Sequence, residues 1–149
     1  MNATVTEQIQ IRRIDSAVDV AASFPVMQQL RPHLADADEL VARWQRQVED
    51  GYRMVGLWHA GRLEALAGYR IAENLVYGRY CYVDDLVTNA DARSGGYGHQ
   101  LMEWLKAETE AAGCARLVLD TPLTNVLGHR FYYRNGLLAT ALRFNYMID

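Results

Sequence analysis

Hydrophobic and polar positions change period several times along the chain, and each change marks an element. Gln8 to Ile14 (QIQIRRI) alternates with the two-residue period of a half-buried strand. Asp15-Ser16 can cap a helix over residues 17–30, which Pro25 interrupts or restarts. From Asp36 to Glu49, Leu40, Val41, Trp44 and Val48 recur at helical spacing, and Gly51 ends that helix. Tyr52 to His59 and Arg62 to Leu75 then read as a hairpin around Ala60-Gly61, followed by a strand from Arg79 to Thr88. Beyond it, Gly98 to Ala112 places Leu101, Trp104, Leu105 and Ala112 on one helical face. Arg116 to Thr121 (RLVLDT) has the continuous apolar character of a buried strand. Thr124 or Asn125 can cap a helix that runs to Asn135, with Gly136 placed to close it. Thr140, Leu142, Phe144, Tyr146 and Ile148 alternate as a final strand. The order predicts a mixed α/β (α+β) fold: an antiparallel meander feeding a βαβ unit.

Composition narrows the function. A chain of 149 residues fits one domain, 1–149, with a core that needs no disulfide or metal staple. Its formal net charge of −3 supplies no field for a phosphate backbone, so nucleic acid is not the expected partner. No apolar run approaches the ~20 residues that cross a bilayer, and the start MNATVTEQIQIRRID has no secretory apolar segment. The expectation is a cytoplasmic protein with no membrane partner; a homodimer is left open. Cys81 and Cys114 form no CxxC motif, and His33, His59, His99 and His129 are scattered without metal-ligand spacing. No metal is expected. Ser16, Ser23 and Ser94 lie outside any GxSxG elbow, which leaves a serine hydrolase without a nucleophile signature.

The informative stretch is Asp84 to Leu101, DDLVTNADARSGGYGHQL. A strand ends, Arg93-Ser94-Gly95-Gly96-Tyr97-Gly98 follows, and an amphipathic helix begins at once. Glycines let backbone N–H groups converge on one point, and the helix start adds partial positive charge, so the loop suits a pyrophosphate. A dinucleotide fingerprint would need glycine where Leu101 stands, and too little chain follows for two βαβαβ halves.

The pattern R-x-x-G-x-G/A is matched by Arg93, Gly96 and Gly98, and Asn125 to Leu137 (NVLGHRFYYRNGL) adds an Asn-led helix with a late tyrosine. On these motifs and the order of elements from Ile9 to Tyr146, the chain resembles the GNAT superfamily of acetyl-CoA-dependent N-acetyltransferases. The resemblance implies a splayed central strand whose Leu86, Val87 and Thr88 lay their backbone along pantetheine. It implies that Arg93, Ser94 and the N–H groups of Gly95, Gly96, Tyr97, Gly98 and His99 hold the pyrophosphate. The His99 ring either assists or is simply solvated. Asn125 matches a cofactor-side position or serves as an N-cap. Tyr132 matches the proton donor to the departing thiolate, and Tyr133 lies about 100° around the same helix.

The base is sought in the acidic pair before the splay. Strand parity puts Tyr80, Tyr82 and Asp84 on one face and Cys81, Val83 and Asp85 on the other. Asp84 is the expected base, with Asp85, a water-linked group or Glu73 as alternatives. Phe24, Met27, Leu30, Arg31, His33, Trp58 and Tyr69 are candidates for the acceptor pocket or for the core. The implied activity is transfer of acetyl from acetyl-CoA to a primary amine on a small molecule or peptide, by direct attack in a ternary complex. A non-catalytic acyl-CoA-binding protein on the same fold is the alternative.

Overall fold

The computed structural model describes residues 8–149. The chain forms two compact units, the first ending at Val118 and the second running from Leu119 to Asp149. Its elements are β1 (Ile9–Ile14), α1 (Ala17–Ala22), α2 (Phe24–Leu30), α3 (Ala37–Val48), β2 (Arg53–His59), β3 (Arg62–Asn74), β4 (Gly78–Thr88), α4 (Tyr97–Ala111), β5 (Arg116–Leu119) and α5 (Val126–Arg134). A short 3₁₀ turn, Ala90–Ala92, leads from β4 toward α4.

Local chemistry explains most boundaries. Ser16 caps α1 by accepting from the Asp19 N–H, and Asp36 caps α3 by accepting from the Glu39 N–H. Ser23 separates α1 from α2, with Pro25 in the first turn of α2, where its missing N–H costs no helical hydrogen bond. Ala60 and Gly61 both have positive φ, 53° and 78°, as a two-residue hairpin turn of primed type requires.

The strands form one sheet in the order β1-β2-β3-β4-β5, antiparallel from β1 through β4. One face packs on α1–α3 through Ile14, Val20, Met27, Leu40, Met54, Leu66 and Val87. The other carries α4, whose Leu101, Met102 and Leu105 are buried and whose Trp104 meets Tyr69 edge-on at 6.0 Å. Met27 and Tyr69 are therefore core residues, and Phe24, Leu30 and Trp58 pack against the core.

The Ala115 N–H donates to the Arg79 carbonyl at 2.8 Å, which ties the start of β5 to the start of β4. β5 has 4 residues and β4 has 11. At roughly 3.3 Å per residue, β5 ends well short of Leu86–Thr88. That edge of β4 has no strand neighbour among the described strands, as the splay expectation requires.

In the second unit, Asp120 pairs with Arg143, and Asn125 caps α5. The final strand expected around Thr140–Ile148 is a correction: residues 137–149 carry neither helix nor strand. Alternation makes side chains compatible with a pleat, but a strand also needs a laddered neighbour. No described strand pairs with this segment, and Leu142, Phe144, Tyr146 and Ile148 stay exposed.

Candidate active site

The β4–α4 loop is held from three sides. Asn89, buried at the end of β4, donates its N–H to the Glu64 carbonyl at 2.7 Å. Gln29 of α2 then grips the loop twice, donating to Asn89 Oδ1 at 3.0 Å and accepting from the Ala90 N–H at 2.8 Å. Arg62 pairs with Asp91 at 2.9 Å. At the far end, the Tyr97 hydroxyl and His59 Nδ1 are 2.7 Å apart. A glycine-rich loop pinned in this way keeps its backbone orientation without a ligand.

Gly96 is the N-cap of α4, at φ 77° and ψ 10°, and it offers no side-chain cap. An added Cβ there would find nothing within 4 Å, so glycine is required by the backbone and not by crowding. The Gln100 N–H returns to the Gly96 carbonyl at 3.2 Å. The N–H groups of Gly96, Tyr97 and Gly98 precede that first helical bond, at the start of the helix where backbone donors lie outside the intrahelical ladder. A glycine-led helix start of this kind is the geometry in which backbone N–H groups can receive an anion. Gly95 differs, because its N–H is spent on the Ala92 carbonyl at 3.1 Å. Arg93 and Ser94 are exposed at the rim, beside a hollow of about 390 Å³ also lined by Glu64, Asp91 and Tyr97.

Leu86, Val87 and Thr88 pair with Ala67, Leu66 and Ala65 of β3. Their opposite backbone edge is the one that β5 leaves uncovered. Backbone groups there can pair with the amides of an extended ligand as an added strand would.

Upstream, the register departs from simple parity. Gly68 pairs with Asp85 and Tyr69 with Val83, so Asp84 is an extra residue in a β-bulge. The bulge turns Asp84 and Asp85 to the same side. Arg70 donates to both Asp84 oxygens, Nη2 to Oδ1 at 2.7 Å and Nε to Oδ2 at 3.0 Å. Asp85 accepts from Arg31 Nε at 2.9 Å and from the Tyr52 hydroxyl at 2.6 Å, while Arg31 Nη2 also reaches the Asp84 carbonyl at 2.7 Å. This corrects the parity expectation that separated the two acids. It also changes the standing of Asp84, whose oxygens are both engaged by a guanidinium. Tyr52, Arg70, Gln29 and His59 carried no sequence signal of their own; their partners lie 14 to 61 residues away.

In the second unit, Tyr132 is partly buried and meets Phe131 edge-on at 5.5 Å. Burial raises its phenol above the ordinary value, so the hydroxyl keeps its proton at neutral pH. Tyr133 is more than half exposed. Asn125 accepts from the Gly128 N–H at 3.2 Å and donates to Thr121 at 2.9 Å, the bonds of an N-cap. Among the described residues no cluster of His, Cys, Asp and Glu could hold a metal ion, and no helix is long and apolar enough to cross a membrane.

Residues 19–137 match the acetyltransferase (GNAT) family. The chain belongs to that family. It is 30% identical over 125 residues to the uncharacterized N-acetyltransferase YhdJ of Bacillus subtilis (strain 168), covering 83% of this chain and 87% of that protein. Its fold is similar to that of the aminoglycoside N-acetyltransferase AAC(6')-Iy solved in complex with CoA, with TM-score 0.83, 16% identity, and 95% of each chain covered. It is also similar to glucosamine-6-phosphate N-acetyltransferase from Arabidopsis thaliana, with TM-score 0.74, 18% identity, and 96% and 100% covered. The GNAT fold expectation therefore holds, and the protein is an N-acetyltransferase.

Proposed function

We propose that this N-acetyltransferase moves acetyl from acetyl-CoA to a primary amine by direct attack within a ternary complex. The observation that carries the reading is the start of α4, where Gly96 in the left-handed region opens a helix with no side-chain cap and puts the backbone N–H groups of Gly96, Tyr97 and Gly98 ahead of the first helical bond. Such a turn fits a diphosphate. The strand edge at Leu86–Thr88 that β5 does not reach fits the amides of pantetheine, and the solved CoA complex of AAC(6')-Iy on the same fold supports the choice of ligand. Acetyl-CoA supplies an activated thioester carbonyl.

The remaining work belongs to this chain's own residues. Gly96, Tyr97, Gly98 and His99 bind the diphosphate through backbone N–H groups, with Arg93 and Ser94 at the rim. Leu86, Val87 and Thr88 orient the pantetheine arm. Tyr132 gives a proton toward the leaving sulfur as the C–S bond breaks, a role open to a phenol that stays neutral. Asn125 supports this helix as its cap. The acceptor amine loses its proton to solvent, and Asp84 acts as a positioning residue through Arg70, since its two oxygens are already engaged. The similar structures act on unlike acceptors, an aminoglycoside in one and an amino-sugar phosphate in the other, so the fold does not select one. The site is assigned to a single domain, 1–149, working in the cytoplasm without nucleic acid.

Calorimetry with CoA, combined with thiol release from acetyl-CoA over an amine panel, tests the proposal. Binding with amine-dependent thiol release is expected. Binding without release for any amine would instead favour the acyl-CoA-binding alternative. Gly96→Val, which forces a β-branched residue to positive φ, should weaken CoA binding at least tenfold.

A further inference from the structure

The face of the sheet toward α1–α3 holds an arrangement that bears on the acceptor. Tyr69 faces α4, so Arg70 faces the other way, and its guanidinium stands 5.7 Å from the Tyr82 ring centre. The bulge adds Asp84 and Asp85 to that face, and Arg31 at the end of α2 completes it.

Donors and acceptors there are out of balance. Every carboxylate oxygen already has a protein donor: Arg70 serves both oxygens of Asp84, and Arg31 and Tyr52 serve those of Asp85. A guanidinium has five N–H groups in a rigid fork. Arg70 spends Nε and Nη2 on Asp84, and Arg31 spends Nε and Nη2 on Asp85 and the Asp84 carbonyl. The Nη1 groups of both have no partner among the described residues. Both side chains remain accessible, at 39% for Arg31 and 42% for Arg70. The two acids cancel the two arginines in charge, so no negative surplus awaits a polycation. What the face offers a ligand is a pair of spare guanidinium edges beside the strand that leads to Leu86–Thr88.

We propose that the acceptor is a compact primary amine bearing its own anionic group, a carboxylate or a phosphate, which docks on the Nη1 edges of Arg31 and Arg70. Planar guanidinium edges match such oxygens in charge and shape. Asp84 and Asp85 hold the two forks in place, and Tyr52 holds Asp85. This inference rests on the acetyl-CoA-dependent amine transfer proposed above and names the acceptor class for that site.

The test compares matched acceptors at saturating acetyl-CoA, reading free thiol: phenylalanine against phenylalaninamide, and O-phosphoethanolamine against ethanolamine, with spermidine as a polycation. The anionic member of at least one pair should have a kcat/KM at least tenfold above its neutral partner, mainly through KM. For the first pair this holds although the amide's amine is the weaker base and is more fully deprotonated at neutral pH. The pair showing the preference tells carboxylate from phosphate. Arg70→Gln should remove most of the preference by raising KM for the anionic member, while Arg70→Lys should retain part of it. The inference is overturned if the neutral members match or exceed the anionic ones in both pairs, if spermidine is preferred, or if no anionic amine accelerates thiol release from protein that binds CoA. Failure to bind CoA in calorimetry would instead remove the acetyl-CoA reading beneath it.

Discussion

The Tyr52 hydroxyl donates to Asp85 Oδ2 at 2.6 Å, directly over Gly68, where an added Cβ would collide with the phenol oxygen of Tyr52. Tyr52 precedes β2, Gly68 lies in β3 and Asp85 in β4, so one bond couples three segments at the bulge. Glycine at 68 is required by the approach of the phenol. The bond holds Asp85, and through Asp85 it holds Arg31.

Removing that hydroxyl has two consequences. Tyr52→Phe leaves Asp85 Oδ2 without its donor, and the cost should be about 1–3 kcal/mol in urea unfolding at pH 7. Burial first, and then the charge of Asp85, raises the Tyr52 phenol well above its ordinary value. A group raised in the folded state contributes stability that is intact below its unfolded pKa, about 10, and lost as pH climbs toward the folded value. Wild type should therefore lose about 1.4 kcal/mol per pH unit above roughly pH 10 from this residue alone. Tyr52→Phe should show a shallower alkaline decline. Equal slopes for the two proteins would mean that Tyr52 ionises freely in the fold.

Asp84→Asn tests whether the clamped acid takes a proton. With both oxygens bound by Arg70, Asp84 should act through position, and its asparagine variant should lose about tenfold or more in kcat/KM uniformly from pH 6 to 9. Asp85→Asn should behave alike, because the bulge places both acids on one face. A loss confined to low pH and recovered at high pH would restore Asp84 as the base.

Tyr132→Phe should lower kcat by roughly a hundredfold, within the range for a general acid, while acetyl-CoA affinity stays near wild type. Tyr133, more than half exposed, should tolerate phenylalanine with little change. Equal small effects would reduce Tyr132 to a packing residue.

The thiols provide an independent check on packing. Cys81 is fully buried, and burial pushes its thiol up to about 11. Cys114 is partly accessible. Iodoacetamide at pH 8 should label Cys114 in the native protein and reach Cys81 only after unfolding. Rapid native labelling of Cys81 would contradict the packing of α4 on β4.

What the sequence disclosed was local. The cap at Ser16, the hairpin at Ala60-Gly61 and the glycine-rich turn into α4 depend on neighbours within a few residues, and each is where the pattern placed it. What it concealed was long-range register. The bulge at Asp84 depends on how β3 meets β4, so parity counted along β4 alone separated Asp84 from Asp85. The arginine clamps join residues 14 and 54 positions apart, which no spacing rule reports. Gly95 belongs to the cradle by sequence, yet a turn bond to Ala92 consumes its N–H. The alternation after Thr140 shows the converse failure, a strand pattern without a ladder.

The central claim, that the first turn of α4 holds the diphosphate of CoA, is tested most directly by amide NMR during titration. Adding CoA should shift the N–H signals of Gly96, Tyr97, Gly98 and His99 most, together with Leu86–Thr88, and Gly95 should move less. Pantetheine, which lacks the diphosphate, should perturb Leu86–Thr88 and leave the α4 signals in place. CoA binding without shifts at Gly96–His99, or with pantetheine moving them equally, would contradict the account.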